Sequence, residues 1–179
     1  MSYQALDSAL AALSGYGPDL SNGFTSHAPM VVEALCALGR PEAVMPWLDS
    51  YRSALLPRPE AREPIAPEAW RASLGRWQNT LDWMAFMRAE LARAPWREVL
   101  AHWLEALAPG YCGGALHGAI RVAHAARGLV ERETELRLLE LGDALGAWAA
   151  SYQTLPSSAV TRVGSLSPSA AIADVPLQP

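Results

Sequence analysis

The sequence predicts an all-α fold, one compact domain of about seven helices without a sheet. Three observations carry this. Alanine and leucine dominate, whereas valine and isoleucine together number 12 in 179 residues, so strand-forming side chains are scarce. Apolar residues recur at spacings of three and four, the helical period. Glycine and proline cluster between those periodic stretches, where chains turn.

The elements follow in order. Residues 3–13 form a short first helix, and the loop "SGYGPDLSNGFTSHAP" leaves it. The next helix starts at Ser26 or His27, with Pro29 in its first turn and Gly39 past its end. A helical stretch runs from Pro41 to about Leu55, with a break or restart at Pro46. The proline-rich "LLPRPEAREPIAPEAW" connects it to helices expected at 67–76, 79–93, 95–107, 113–130 and 131–153. The last shows leucines on one face and charges on the other. Residues 1–154 thus read as one helical domain. Residues 155–179, rich in proline, serine and glycine and lacking a helical period, read as a tail or a truncated linker to a missing second half.

Composition narrows function by exclusion. Hydrophobic residues make up 51% of the chain and charged residues 18%, the balance of a globular domain. The net charge of -4 argues against nucleic acid, which calls for a basic face. All 14 basic residues are arginine, which removes lysine-based covalent or acid–base chemistry. No run of about 18 apolar residues exists to span a membrane. The amino terminus lacks the pattern of a signal peptide, so a cytoplasmic protein is expected. Cys36 and Cys112 form no CxxC pair and read as reduced packing thiols.

One segment departs from ordinary packing: "GGALHGAIRVAHAARGL", residues 113–129. At about 100° per residue, Gly113, Gly114, His117, Arg121, His124 and Gly128 share one stripe. Leu116, Ile120 and Ala123 form an apolar stripe beside it, read as the core face. Glycine in a helix costs roughly 0.5–1 kcal/mol against alanine. Several on one stripe imply that another helix or a ligand approaches the backbone closely. His117 and His124 lie about 10 Å apart along the axis. That spacing suits one shared ion less well than an i, i+4 pair, and hydrogen-bonded core or interface histidines satisfy it equally. His27, at a helix start after a glycine-rich loop, is the third candidate. His102, beside Trp103, reads as structural. Glu33 and Asp82 are weaker site candidates, and the seven tryptophans read mostly as core, with a few free to line a pocket for a flat ligand.

Two motifs resemble the questin oxidase-like family. The first is Ser26, His27, Ala28, Pro29 and Met30, followed by Glu33, Ala34 and Leu35. The second is Gly113, Gly114, His117, Gly118, Ile120, Arg121, His124, Ala125 and Arg127, with "WAASYQTLP" downstream. The resemblance spans about Gly23 to Pro156. It implies an all-helical oxidoreductase, a monooxygenase with a Baeyer–Villiger-like ring cleavage of an aromatic polyketide-type substrate. Non-haem iron is the cofactor it implies, with His27, His117 and His124 as metal ligands and dioxygen as co-substrate. Arg121 takes the catalytic position, contacting an anionic substrate group or the ligands themselves. Family members are longer, so a homodimer or a complementing second-half polypeptide is an expected partner. The competing reading is a non-catalytic helical module for an aromatic ligand or a partner helix. A metal-free enzyme with His117 or His124 as general base is a further alternative.

Overall fold

A computed structural model of the chain describes residues 3–155 and 167–173. Within the first span lie seven α-helices: α1 (Gln4–Leu13), α2 (Ala28–Ala37), α3 (Val44–Tyr51), α4 (Thr80–Leu91), α5 (Trp96–Leu107), α6 (His117–Glu131) and α7 (Glu135–Ala150). The all-α class is thereby shown.

Four expectations need correction. A small antiparallel ribbon exists, with β1 (Tyr16–Leu20) paired to β2 (Leu55–Pro57) and Leu20 opposite Leu55. Leu20 and Leu55 are both buried, so the ribbon closes one side of the core although its strands are poor in β-branched residues. Residues 67–76 form a short 3-10 turn at Trp70–Ser73, not an α-helix. Pro46 does not interrupt α3: it sits in the first turn, where a missing N–H costs nothing. In the carboxy-terminal segment, mostly outside the described residues, a short helix α8 (Pro168–Ala173) occupies part of what the sequence reads as tail.

Helix α7 organises the rest. Thr134 caps its start, its side chain accepting from the Arg137 backbone N–H. Every residue from Leu141 to Ala150 is buried. Small residues make this possible. A Cβ on Gly146 would stand 2.6 Å from the Met84 nitrogen of α4, so the two helices approach almost backbone to backbone. One apolar cluster joins α4, α5, α6 and α7 around Trp83, Trp103, Leu107, Leu141 and Trp148. Trp70, Trp83, Phe86 and Trp103 meet edge to face there. A second cluster joins α1, α2, α3 and the ribbon around Leu6, Leu10, Val32, Cys36 and Leu48. Five of the seven tryptophans are buried, as expected; Trp47 is half-buried and Trp77 exposed.

Candidate functional site

Helix α6 begins later than its sequence pattern suggests, and the reason shapes the site. Gly114, Ala115 and Leu116 all take left-handed backbone, with φ of 56°, 51° and 68°. Two of these are not glycine, and each such residue costs on the order of 1–2 kcal/mol. Strain of this kind persists only where its surroundings over-determine it. Here the turn delivers His117 as the first residue of α6, its ring folded back on the turn. His117 Nδ1 lies 2.7 Å from the Gly114 carbonyl oxygen and 3.1 Å from that of Ala115. A carbonyl accepts, so Nδ1 carries a proton, and in the neutral ring this leaves Nε2 with a bare lone pair.

The partner of that lone pair comes from the start of α2. The chain from β1 doubles back, with Ser26 N donating to the Pro18 carbonyl and Thr25 bridging to Asp19. His27 caps α2 just after this loop, with Pro29 in the first turn. Its Nε2 stands 2.9 Å from His117 Nε2, the rings meeting edge to face at 4.8 Å. Without an ion, His27 donates and His117 accepts. At this separation both Nε2 atoms could reach one ion. A backbone-anchored Nδ1–H is the usual support of a metal-bound imidazole. The donor chemistry of this pair therefore fits a metal.

His124 does not join them. Its Nδ1 donates to Glu33 Oε2 at 2.6 Å, one helix face further along. Glu33 is buried and also accepts from Arg127, Nε at 2.7 Å and Nη2 at 2.5 Å, and from the Tyr3 hydroxyl at 2.6 Å. Burial pushes the Glu33 carboxyl up, but these donors outweigh it and hold it at about 2. The same contact and burial push Tyr3 up to about 12. The expected convergence of three histidines is therefore replaced by two separate pairs. Spacing explains it: six residues separate His27 from Glu33 and seven separate His117 from His124, rises of about 9 and 10.5 Å. α2 and α6 run side by side in the same direction, so each α6 histidine meets its own partner. Among the described residues, no group of three or more His, Cys, Asp or Glu side chains is placed to hold one ion.

Arg121 departs from expectation too. Its guanidinium is buried and doubly hydrogen-bonded to Glu140 of α7, at 2.7 and 2.8 Å. It lines the inner wall of a cavity of about 50 Å³ beside His117, whose rim includes Trp77, Thr25 and Met30. It does not point a free charge at His27 or His117.

The face assignment of α6 is reversed. Gly118, Arg121, Ala125 and Gly128 are buried, and a Cβ on Gly118 would stand 2.6 Å from Trp148 Cα. The close approach foretold by the glycines is thus made by α7. Leu116, Ile120 and Ala123, read as core-facing, lie exposed, at 40% and 44% for the two larger residues.

The weaker candidates resolve simply. Asp82 accepts from the backbone N–H groups of Arg62 and Glu63 and ties down the proline-rich connection. His102 is exposed with its ring edge against Trp103, apart from the site. Cys36 is buried and Cys112 half-buried, and both are free thiols. Sequence reasoning missed Tyr3, Arg58, Arg88, Glu140 and Asp143; nothing in their local spacing marks them. Among the described residues, no helix is long and apolar enough to cross a membrane. No family model, no curated protein and no solved structure matches the chain.

Proposed function

We propose that the chain is an oxidoreductase of the questin oxidase-like kind, a non-haem iron oxygenase acting on an aromatic polyketide-type substrate. The observation that carries this reading is the His27–His117 pair: two imidazoles from distant parts of the chain, 2.9 Å apart, one fixed by backbone carbonyls. Iron held there would supply dioxygen activation and the Baeyer–Villiger-like ring cleavage. His27 and His117 would hold the ion through Nε2, and the turn that places His117 Nδ1 on backbone carbonyls would orient its ring for this. The exposed Trp77 ring beside the cavity offers a flat face for an aromatic substrate. Two imidazoles are fewer protein ligands than the three usual in catalytic sites. The remaining donors come from water, from substrate, or from a second polypeptide, either another copy or a complementing chain. A reducing cytoplasm suits the two unpaired cysteines.

Anaerobic titration with Fe(II), or with Co(II) as a spectroscopic stand-in, tests this. Stoichiometric binding is expected in the wild type and in His124→Ala, and its loss in His27→Ala and His117→Ala. A wild-type protein that binds neither metal ends the proposal.

One observation favours the second reading, a non-catalytic helical module. Leu116 just before α6 and Ile120 and Val130 on it are exposed apolar side chains available to a partner helix. A metal-free dimer in solution, broken by Ile120→Glu, favours the module.

A further inference from the structure

Three guanidinium groups and two carboxylates from four parts of the chain meet around a second cavity, of about 90 Å³. Arg58 follows β2, Arg88 lies on α4, Arg121 on α6, and Glu140 and Asp143 on α7. Asp143 accepts from Arg58 at 2.7 and 3.0 Å and from Arg88 at 2.8 and 2.9 Å, while Arg121 is paired with Glu140. Three positive and two negative groups leave a formal charge of +1, and no further carboxylate lines the cavity. Burial pushes the Glu140 carboxyl up, while its two-point contact with Arg121 pulls the other way.

Buried charge is costly unless paired. The surplus here comes with unused donors. Asp143 takes two nitrogens from each of its arginines and Glu140 takes two from Arg121. Arg58 Nε, Arg88 Nη1 and Arg121 Nη1 are left without a partner among the described residues. The buried Ser26 hydroxyl, which accepts from the Ala28 N–H, keeps its own proton to give. Apolar side chains, among them Leu13, Leu55, Met84 and Leu139, supply the rest of the wall. The volume admits on the order of six water-sized groups. Arg58 and Arg88 remain 20% and 31% exposed, so the cavity is reached from solvent.

We propose that this cavity binds a small organic monoanion, a carboxylate carried on an apolar body, with the charge on Arg58 and Arg88 and the body against the leucines. One negative charge cancels the surplus; a dianion overshoots it, and a bare inorganic ion leaves the apolar wall uncovered. Ser26 adjoins His27, and Arg121 lines both this cavity and the one beside His117. Arg121 is thus a wall shared between this cavity and the one beside His117. The inference does not depend on any metal.

Calorimetric titration of the metal-free full chain at constant ionic strength, with butanoate, acetate, phosphate and chloride, tests it. Saturable one-to-one binding of butanoate is expected, tighter than that of phosphate or chloride. Arg88→Met weakens it by about tenfold or more, the loss of one charge-assisted contact, and Arg88→Lys restores most of it. Asp143 keeps both bonds from Arg58 in either variant, so the fold is retained, which circular dichroism verifies. Absence of saturation with butanoate, equal binding by Arg88→Met, or tighter binding of phosphate or chloride each overturns the proposal.

Discussion

His124 rests its Nδ1 on Glu33 Oε2 at 2.6 Å, and through this contact the two motifs, 91 residues apart, are tied into one hydrogen-bonded unit. Arg127 and Tyr3 grip the same carboxylate. Glu33 is thus a fastener between α1, α2 and α6, whatever chemistry occurs at the neighbouring pair.

Acid therefore loosens the fold through Glu33. Its carboxyl titrates at about 2 in the folded state, below its ordinary value of 4.5. The stability this supplies is fully present above about pH 4.5 and is lost as pH falls through about 2, a contribution on the order of 3 kcal/mol. Denaturant unfolding followed between pH 6 and pH 2 reads it. Glu33→Gln lowers stability at pH 6 and flattens that part of the profile; an unchanged profile would refute the assignment.

Gly118 is fixed by contact with α7. Gly118→Ala places a methyl 2.6 Å from Trp148 Cα, against backbone that cannot swing aside. A loss of about 1–3 kcal/mol is expected, whereas Ala123→Ser on the exposed face changes little. Thermal melts of the two variants decide it, and equal melting temperatures would contradict the packing described.

The turn before α6 stores strain that a single substitution releases. Ala115 is exposed with φ at 51°, so Ala115→Gly removes the left-handed penalty without removing a buried side chain. The folded state gains up to about 1 kcal/mol. His117 is held less firmly, and on the proposed metal reading Co(II) affinity is expected to fall. Stability and Co(II) affinity moving in the same direction would argue that the strain has no positioning role.

The two thiols separate by accessibility. Burial pushes the Cys36 thiol up and shields it, while Cys112 is half-buried near the turn. A chromogenic disulfide reagent modifies one thiol in the native protein and two after denaturation. Rapid modification of both in the native state would place Cys36 wrongly.

Helical period and proline placement made α1, α2, α4, α5 and α7 legible to within a few residues. The exceptions have physical causes. Leu116, Ile120 and Ala123 look like a core stripe because they are apolar. Yet Gly118 and Ala125 let α7 come so near that the smaller face is the one buried. Arg121 reads as free because its partner, Glu140, lies on another helix, and tertiary ion pairs leave no local trace. The pairing of His27 with His117 was within reach of the motifs. The diversion of His124 to Glu33 follows from the parallel run of α2 and α6, which no local pattern encodes.

From Leu141 to Ala150 every residue of α7 is buried, and α1, α4, α5 and α6 all lean on this helix. Its amides are expected to be the slowest to exchange with deuterium, at a rate that approaches that of global opening. The protection of that one segment is consequently a direct gauge of global stability, readable without denaturant.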